Sequence, residues 1–429
     1  MRIGVLSQWF DPEPGGGAIP AIYAREFVAA GHEVSVLTGF PNYPTGRIYP
    51  GYPQRLRSVS RSDGYALTRV PLYPSHDSSG LGRIANYASF AASATVMSRS
   101  ALKNTDAIWV YNSPITVAMP LLAHSRWGRT PYFLQVQDLW PDSLIESGMF
   151  PGGLIGKAAS SMLSALVRLM ENRAGVVGIS SPGTRALLLD RNPRLDPKRV
   201  VNAPNPTDES LFQPLSSLSP SRIPDVPWKG RFTVMYAGAV GDVQGLESLV
   251  DAAAIIRSHR DIQIVVLGDG IARPKLEARV AAAGLNNVKF LGRVDKALVP
   301  GYMASAHVQL VSLAQREFLR YTTPSKIASL LASCVPIIGQ ISGDGAQLIR
   351  ESGAGLIAEP GNAESLAATI LQMATLSDSQ RGDMANRGRS YYEENLSSEV
   401  LAGNVVRSLQ NCSRQAGPHV PTGFRRMIQ

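Results

Sequence analysis

Three stretches of the chain combine residue types and spacing that suit the handling of charge. The first, Val234 to Leu246, leaves a β-rich run and opens a helical one, with Gly238, Gly241 and Gly245 at its turn. Glycine lets backbone N–H groups come close to an anion, and a helix N-terminus adds partial positive charge, so a diphosphate suits such a turn. An ordinary strand-to-helix turn is the plain alternative, and the Gly-Lys-Ser/Thr ending of a Walker loop is missing. The second stretch runs from Arg320 to Lys326, where Pro324 and Ser325 start a helix and Lys326 falls in its first turn. A lysine there opposes the helix dipole by about 0.3 kcal/mol or more, unless it faces an anion held by the same N-terminus. Otherwise it is a lysine in solvent. The third stretch, Leu134 to Asp142, comes off a strand end, where Asp138 can accept a proton or orient a sugar hydroxyl. A capping aspartate beside a buried Trp140 is the simpler reading of that segment.

The elements that must position these residues follow one grammar. Arg2 to Trp9 reads as a buried strand, Gly15 to Gly17 as a turn, Ala18 to Ala30 as a helix ended by Gly31, and His32 to Leu37 as a second strand. Such a βαβ unit implies a parallel sheet covered by helices. Further strands are expected at Ala107 to Tyr111, Tyr132 to Val136 and Val176 to Ile179. From Asn202 to Gly230 the periodicity stops in a Pro- and Ser-rich run that reads as a linker. The same grammar then restarts, with strands at Phe232 to Tyr236, Ile262 to Leu267, Val288 to Leu291, Val308 to Val311 and Val335 to Ile338. The expected division is therefore an α/β domain over 1–201, a linker over 202–230 and a second α/β domain over 231–390. A helix over 391–411 crosses back, and 412–429 is a disordered basic tail. Rossmann-like halves bind ligands at the carboxyl ends of their strands, so two facing halves are expected to form a cleft.

Length and composition agree with two domains, since 429 residues exceed what one hydrophobic core commonly serves. No run approaches the roughly 20 apolar residues needed to span a bilayer, and the first residues do not read as a signal peptide. A cytoplasmic location is expected. Two cysteines, Cys334 and Cys412, are too few for a zinc site and unsuited to a structural disulfide. The net charge of +9 fits an anionic partner. Scattered Arg and Lys without a basic helix or zinc finger speak against nucleic acid, leaving membrane headgroups or phosphorylated substrates.

The ordered set Gly15–Gly17, Ala30–Thr38, Phe40–Gly46, Gln137–Pro141, Tyr236–Gly241 with Gln244–Leu246, Gly268–Gly270, Asn287–Gly292 and Pro324–Lys326 resembles family-4 glycosyltransferases. It is most similar to the bacterial branch that holds colanic-acid and O-antigen sugar transferases. The resemblance implies a GT-B fold of two facing Rossmann-like domains with parallel sheets, and retaining transfer of a hexosyl unit from a nucleotide-diphosphate sugar. It implies no cofactor and no metal; the chain itself contains no Asp-x-Asp. The donor side would comprise Gly238, Gly241, Gln244, Gly268, Asp269, Val294, Pro324, Ser325 and Ser329, and the acceptor side Gly15, Gly16, Gly17, Gln137 and Trp140. The family's usual Arg and Lys in the glycine turn are Ala239 and Gln244 here, and its Glu-x(7)-Glu pair falls on Tyr321 and Ser329. That departure moves the phosphate charge onto Lys326 and Arg320, with Asp138 as the third catalytic candidate. Asp344 stands in a loop suited to touching the donor sugar.

The branch implies a lipid-linked or glycan acceptor in surface polysaccharide or glycolipid synthesis, at the inner face of the cell membrane. Two stretches suit peripheral contact with anionic lipid. For Leu81 to Leu102 packing on the sheet is the favoured alternative, and Gly153 to Arg173 reads equally as a basic amphipathic helix. A non-catalytic nucleotide-sugar or polysaccharide-binding protein on the same scaffold is the competing reading, kept open by the missing carboxylate pair.

Overall fold

The computed structural model describes residues 1–75, 80–128, 130–137 and 153–415. The chain divides into two compact units, one of residues 1–180, 185–205 and 401–429, the other of residues 181–184 and 206–400.

The first unit is built on an eight-stranded sheet, β1 (Arg2–Leu6), β2 (Glu33–Gly39), β3 (Ser58–Ser62), β4 (Tyr65–Val70), β5 (Ala107–Asn112), β6 (Tyr132–Val136), β7 (Val176–Ile179) and β8 (Val200–Asn202), in the order β3-β4-β2-β1-β5-β6-β7-β8. All neighbours are parallel except the β3–β4 hairpin. Alternation along each strand sends side chains to two cores. Leu6, Ile108 and Val110 join a cluster with Phe90 and Leu121, whereas Ile3, Val5 and Trp109 join another with Tyr23 and Phe27. The hairpin is absent from the sequence expectation. Its edge strand, Ser58–Ser62, is polar and largely exposed, so it carries no apolar alternation to reveal it.

The second unit carries β9 (Phe232–Ala237), β10 (Ile262–Leu267), β11 (Val288–Gly292), β12 (Val308–Ser312), β13 (Ile337–Gln340) and β14 (Gly355–Ala358). They form an all-parallel sheet in the order β11-β10-β9-β12-β13-β14. Its two cores centre on Val234, Leu249 and Ile264, and on Ile327, Leu331 and Ile337.

Two boundaries differ from the sequence expectation. Residues 206–230 are not a free linker but pack into the second unit. Leu215 N donates to Ser333 O at 3.0 Å, Trp228 is buried, and Glu209 accepts from Tyr392 Oη at 2.7 Å and Ser398 N at 2.8 Å. Between its prolines this stretch holds apolar side chains that have a core to join. The final helix also differs: Asp378–Asn395 ends at Leu396, and a new helix, Ser398–Gln415, continues past the expected start of the tail. Its Ala402, Val405, Val406 and Leu409 lie in the first unit's core, and Cys412 is buried. Apolar spacing of three and four residues holds this face down. Residues 416–429 lie outside the described residues.

Candidate functional site

In the second sheet the strand order reverses at β9, with β10 on one side and β12 on the other. Open parallel sheets bind ligands at the carboxyl ends of strands at such a point. From β9 the chain passes Gly238 at φ +152°, a 3-10 turn over Asp242–Gln244, and Gly245 at φ +60° before the helix Glu247–Ile255. A Cβ on Gly245 would lie 2.9 Å from the Ala314 Cα just beyond β12, so space and conformation both require glycine there.

Lys326 reaches the same place from the other side of the switch point. Pro324 caps the helix Ser325–Ala332 without a side-chain hydrogen bond, and burial of Ile327, Leu330 and Leu331 fixes the helix rotation. Lys326 Nζ lies 3.7 Å from the centroid of the Tyr236 ring. A Cβ on Gly238 would come within 2.8 Å of that nitrogen, so the bare glycine is what leaves room for the ammonium. Tyr236 Oη donates to Ala239 O at 2.6 Å and steadies the ring. Lys326 is half-buried, and burial lowers its pKa to about 7. No carboxylate among the described residues pairs with it. Lys326, Tyr236 and Gly238 thus form a preformed cation pocket.

The remaining donor-side residues divide. Gly238 N donates to Leu267 O and Val240 N to Asp269 O, both at 2.9 Å, while Gly241 N donates to Gln244 Oε1 at 3.0 Å. Of the amides expected to meet a phosphate near Gly241, those of Gly238, Val240 and Gly241 are therefore used inside the turn. Gln244, lacking charge and short enough to fold back, caps the turn instead of reaching outward. Gly268, at φ +136°, serves a close approach, since a Cβ there would lie 1.8 Å from Gly238 O. Asp269 is exposed, accepts from Gly270 N at 2.8 Å and sits 3.6 Å from Arg273 Nη1. Arg320 does not join Lys326 as a second half-buried cation. It is exposed on the 3-10 turn Glu317–Tyr321 and donates to Glu317 Oε1 at 3.3 Å, an i,i+3 partner on its own turn. Ser325 is exposed beside Pro324, Val294 is half-buried just after β11, and Ser329 Oγ lies 3.4 Å from Thr207 Oγ1. Asp344 stands in the first turn of the helix Gly343–Glu351 and not in a loop, and it accepts from Ser181 Oγ and Gly183 N, each at 2.6 Å.

In the first unit, Gly15–Ala18 forms a 3-10 turn with Gly15 at φ +65°. A Cβ on Gly16 would lie 3.2 Å from Tyr111 Oη, and one on Gly17 2.9 Å from Glu13 Cβ. Glu13 is a buried carboxylate that sequence reasoning missed. It accepts from Phe10 N at 3.0 Å, Asn42 N at 2.7 Å and Tyr43 N at 2.8 Å. Burial pushes its pKa up while the three amides pull against that shift. Its signal was the isolated acid between Pro12 and Pro14 ahead of the glycine run. Gln137 exchanges two amide hydrogen bonds with Asn205, at 2.9 and 2.7 Å. Asp138 and Trp140 lie outside the described residues.

Comparisons with known proteins agree with this architecture. The family "Glycosyl transferase 4-like domain" matches residues 15–206, and "Glycosyl transferases group 1" matches residues 231–375. A relative from Escherichia coli (strain K12), whose name places it in colanic acid biosynthesis as glycosyl transferase WcaI, is 27% identical over 96% of this chain and 99% of its own. WbjE of Pseudomonas aeruginosa, named as a glycosyltransferase, is 24% identical over 75% of this chain and 78% of its own. Among solved structures, Anabaena HepE in complex with UDP and glucose has a TM-score of 0.66 at 16% identity, covering 95% of this chain and 99% of that one. Two parallel-sheet α/β units, a glycine turn and cation pocket at the second switch point, and a family match on each unit lead to one assignment: the chain belongs to the family-4 glycosyltransferases of GT-B fold.

Proposed function

We propose that the chain moves a hexosyl unit from a nucleotide-diphosphate sugar to a lipid-linked or polysaccharide acceptor. Transfer proceeds with retention, needs no metal ion, and serves the making of a surface polysaccharide or glycolipid. Lys326 carries the donor half of this reading: a half-buried ammonium at a helix N-terminus and a sheet switch point, with no anionic partner among the described residues. A diphosphate supplies that partner. As the anomeric C–O bond breaks, charge grows on the β-phosphate, and a fixed cation in a site short of water stabilises it. The leaving phosphate takes the proton of the acceptor hydroxyl, so no side chain has to attack, and Asp138 orients that hydroxyl. UDP and glucose in HepE support the donor class, and the name of WcaI supports a surface polysaccharide as product.

Peripheral contact with anionic lipid at the inner face of the cell membrane belongs to the same proposal. Leu81, Ile84 and Val96 are exposed on the helix Gly80–Ala101, and Met162 and Leu169 beside Arg168 on the helix Gly153–Arg173. Among the described residues no helix is long and apolar enough to cross a membrane.

Heating the protein with UDP-, GDP- and dTDP-sugars tests the donor reading. A donor at about 100 times its Kd adds roughly 2.7 kcal/mol of stability. One base should raise Tm clearly, and Lys326→Ala should remove the rise. No shift with any of these donors sinks the reading.

A further inference from the structure

The first sheet ends in a strand that pairs on one side only. β3 meets β4 and no other strand, and four of its five residues are exposed, Val59 with 57% of its surface. Its pairing runs from Ser58↔Arg69 to Ser62↔Tyr65 without a shift, so neither proline nor bulge interrupts it. An unbroken edge is a template for a further strand unless charge guards it. The turn that follows decides which groups this edge presents. Asp63 and Gly64 have φ of +48° and +82°, as in a two-residue I′ turn, so Ser62 and Tyr65 exchange ladder bonds. Alternation then turns the N–H and C=O of Ser58, Ser60 and Ser62 toward β4, and those of Arg57, Val59 and Arg61 outward. No backbone hydrogen bond from elsewhere in the described residues covers those outward groups.

Two copies of one edge can meet antiparallel about a two-fold axis, provided that outward-facing residues stand opposite each other. Charge then selects the register. A pair centred on Val59 sets Arg57 against Arg61, one centred on Arg61 sets that arginine against itself, and one centred on Ser58 sets Arg55 against Arg61. A centre at Ser62 sets the strand against the other copy's turn. Only a centre at Ser60 pairs the whole strand with no like charges opposite: Ser58 meets Ser62, Val59 meets Arg61, and Arg57 meets Asp63. Those groups are open to such a partner. Arg57 and Arg61 form no ion pair among the described residues. Asp63, its side chain 51% exposed, has Arg25 Nη1 only at 4.0 Å and accepts from Tyr65 Oη at 3.3 Å. Arg55, Arg57 and Arg61 still gather like charge along the joint edge, which keeps the association weak.

We propose that β3 is a self-association edge: two copies of the chain pair antiparallel about Ser60 and join their first sheets side by side, with Arg57 of each copy answering Asp63 of the other. This inference is independent of the transfer reading and involves no ligand. An acidic extended segment of another protein would also suit the arginines, but it would gain nothing from Asp63 and would give Ser60 no special place.

Cysteine trapping on the full chain tests the register. In this pairing Ser60 faces its own copy between ladder bonds, where Cα atoms come within about 4.5 Å, a distance that a disulfide spans. With glutathione disulfide, Ser60→Cys should give a linked dimer at least about tenfold faster than Ser58→Cys or Ser62→Cys alone. A mixture of those two variants should cross-link one to the other. The unaltered chain, with Cys334 half-buried and Cys412 buried, is the blank. Val59→Pro keeps the bonds to β4, because the amide it removes points outward, and should abolish the Ser60→Cys cross-link. Should that variant fail to fold, Arg57→Asp, which sets acid against Asp63, should slow the cross-link about tenfold instead. Sedimentation of the unaltered chain should show a dimer fraction that grows up to about 100 μM protein. Equal cross-linking at 58, 60 and 62 is mere collision and overturns the proposal. So do absence of a cross-link at 60, a cross-link that survives both Val59→Pro and Arg57→Asp, and a chain that sediments as a monomer at every concentration.

Discussion

An ammonium packed against an aromatic face surrenders part of its hydration, and the ring returns only about 0.5–2 kcal/mol of that loss. Lys326 is in this position over Tyr236, which is why its pKa falls to about 7 from 10.5. The unfolded chain then binds the proton more tightly, so this group's contribution to stability rises with pH from about 7 to about 10.5 and is least below about pH 7. Lys326→Met should therefore raise the Tm of the ligand-free protein near pH 6, and the gain should shrink as pH approaches 10, read by thermal melts across about that range. With donor bound the sign reverses, because the diphosphate favours the protonated form. Donor affinity should weaken as pH rises above about 7, and calorimetry in buffers of different ionisation heat should show proton uptake on binding. Lys326→Ala should lower turnover about ten- to a thousand-fold, the loss typical of a single charge-stabilising group, and unchanged kinetics would remove it from the site. Gln244 carries the opposite expectation. Its side chain caps Gly241 N, so Gln244→Ala should cost about 1 kcal/mol of stability while leaving donor affinity equal or tighter. A marked loss of affinity, measured by titration, would make it a ligand after all.

At the scale of elements, the site depends on two turns that interlock at the ends of β9 and β10. Gly238 N donates to Leu267 O, Gly268 N to Gly292 O, and a Cβ on Gly268 would lie 1.8 Å from Gly238 O. Gly268→Ala adds that clash to a φ of +136°, which an L side chain rarely adopts. It should cost about 3 kcal/mol or more in denaturant unfolding and move the Gly238 turn away from Lys326. A Tm within a degree or so of the parent would mean the turns are not coupled. Much at this scale was legible in the residues. The strands at 262–267 and 132–136 follow from runs that are apolar but for Gln263 and Gln135, and Pro324-Ser325 marks the helix start that carries Lys326. The β3–β4 hairpin was not legible, because an exposed Ser- and Arg-containing edge has no burial pattern to betray it.

For the whole molecule, metal independence and membrane contact are the expectations open to direct test. Chelation with excess EDTA should leave transfer unchanged, since the chain offers no Asp-x-Asp and the proposed stabilising cation is Lys326. Liposomes rich in anionic lipid should carry the protein upward in flotation at low salt and lose it at high salt, and no flotation at low salt would remove the membrane proposal. The sequence by itself determined that the chain holds two parallel α/β halves, that glycines mark the end of β9, and that a lysine starts the helix after β12, because apolar period, turn chemistry and capping are local signals. Only the tertiary structure decided what those residues touch. It set Lys326 beside Gly238, turned Gln244 inward, spent Asp344 on Ser181 and Gly183, left Arg320 to Glu317, and drew Trp9, Tyr43 and Tyr87 together from positions far apart in the chain. Partners set by chain crossings and strand order leave no mark at short range, so no pattern of neighbouring residues could have announced them.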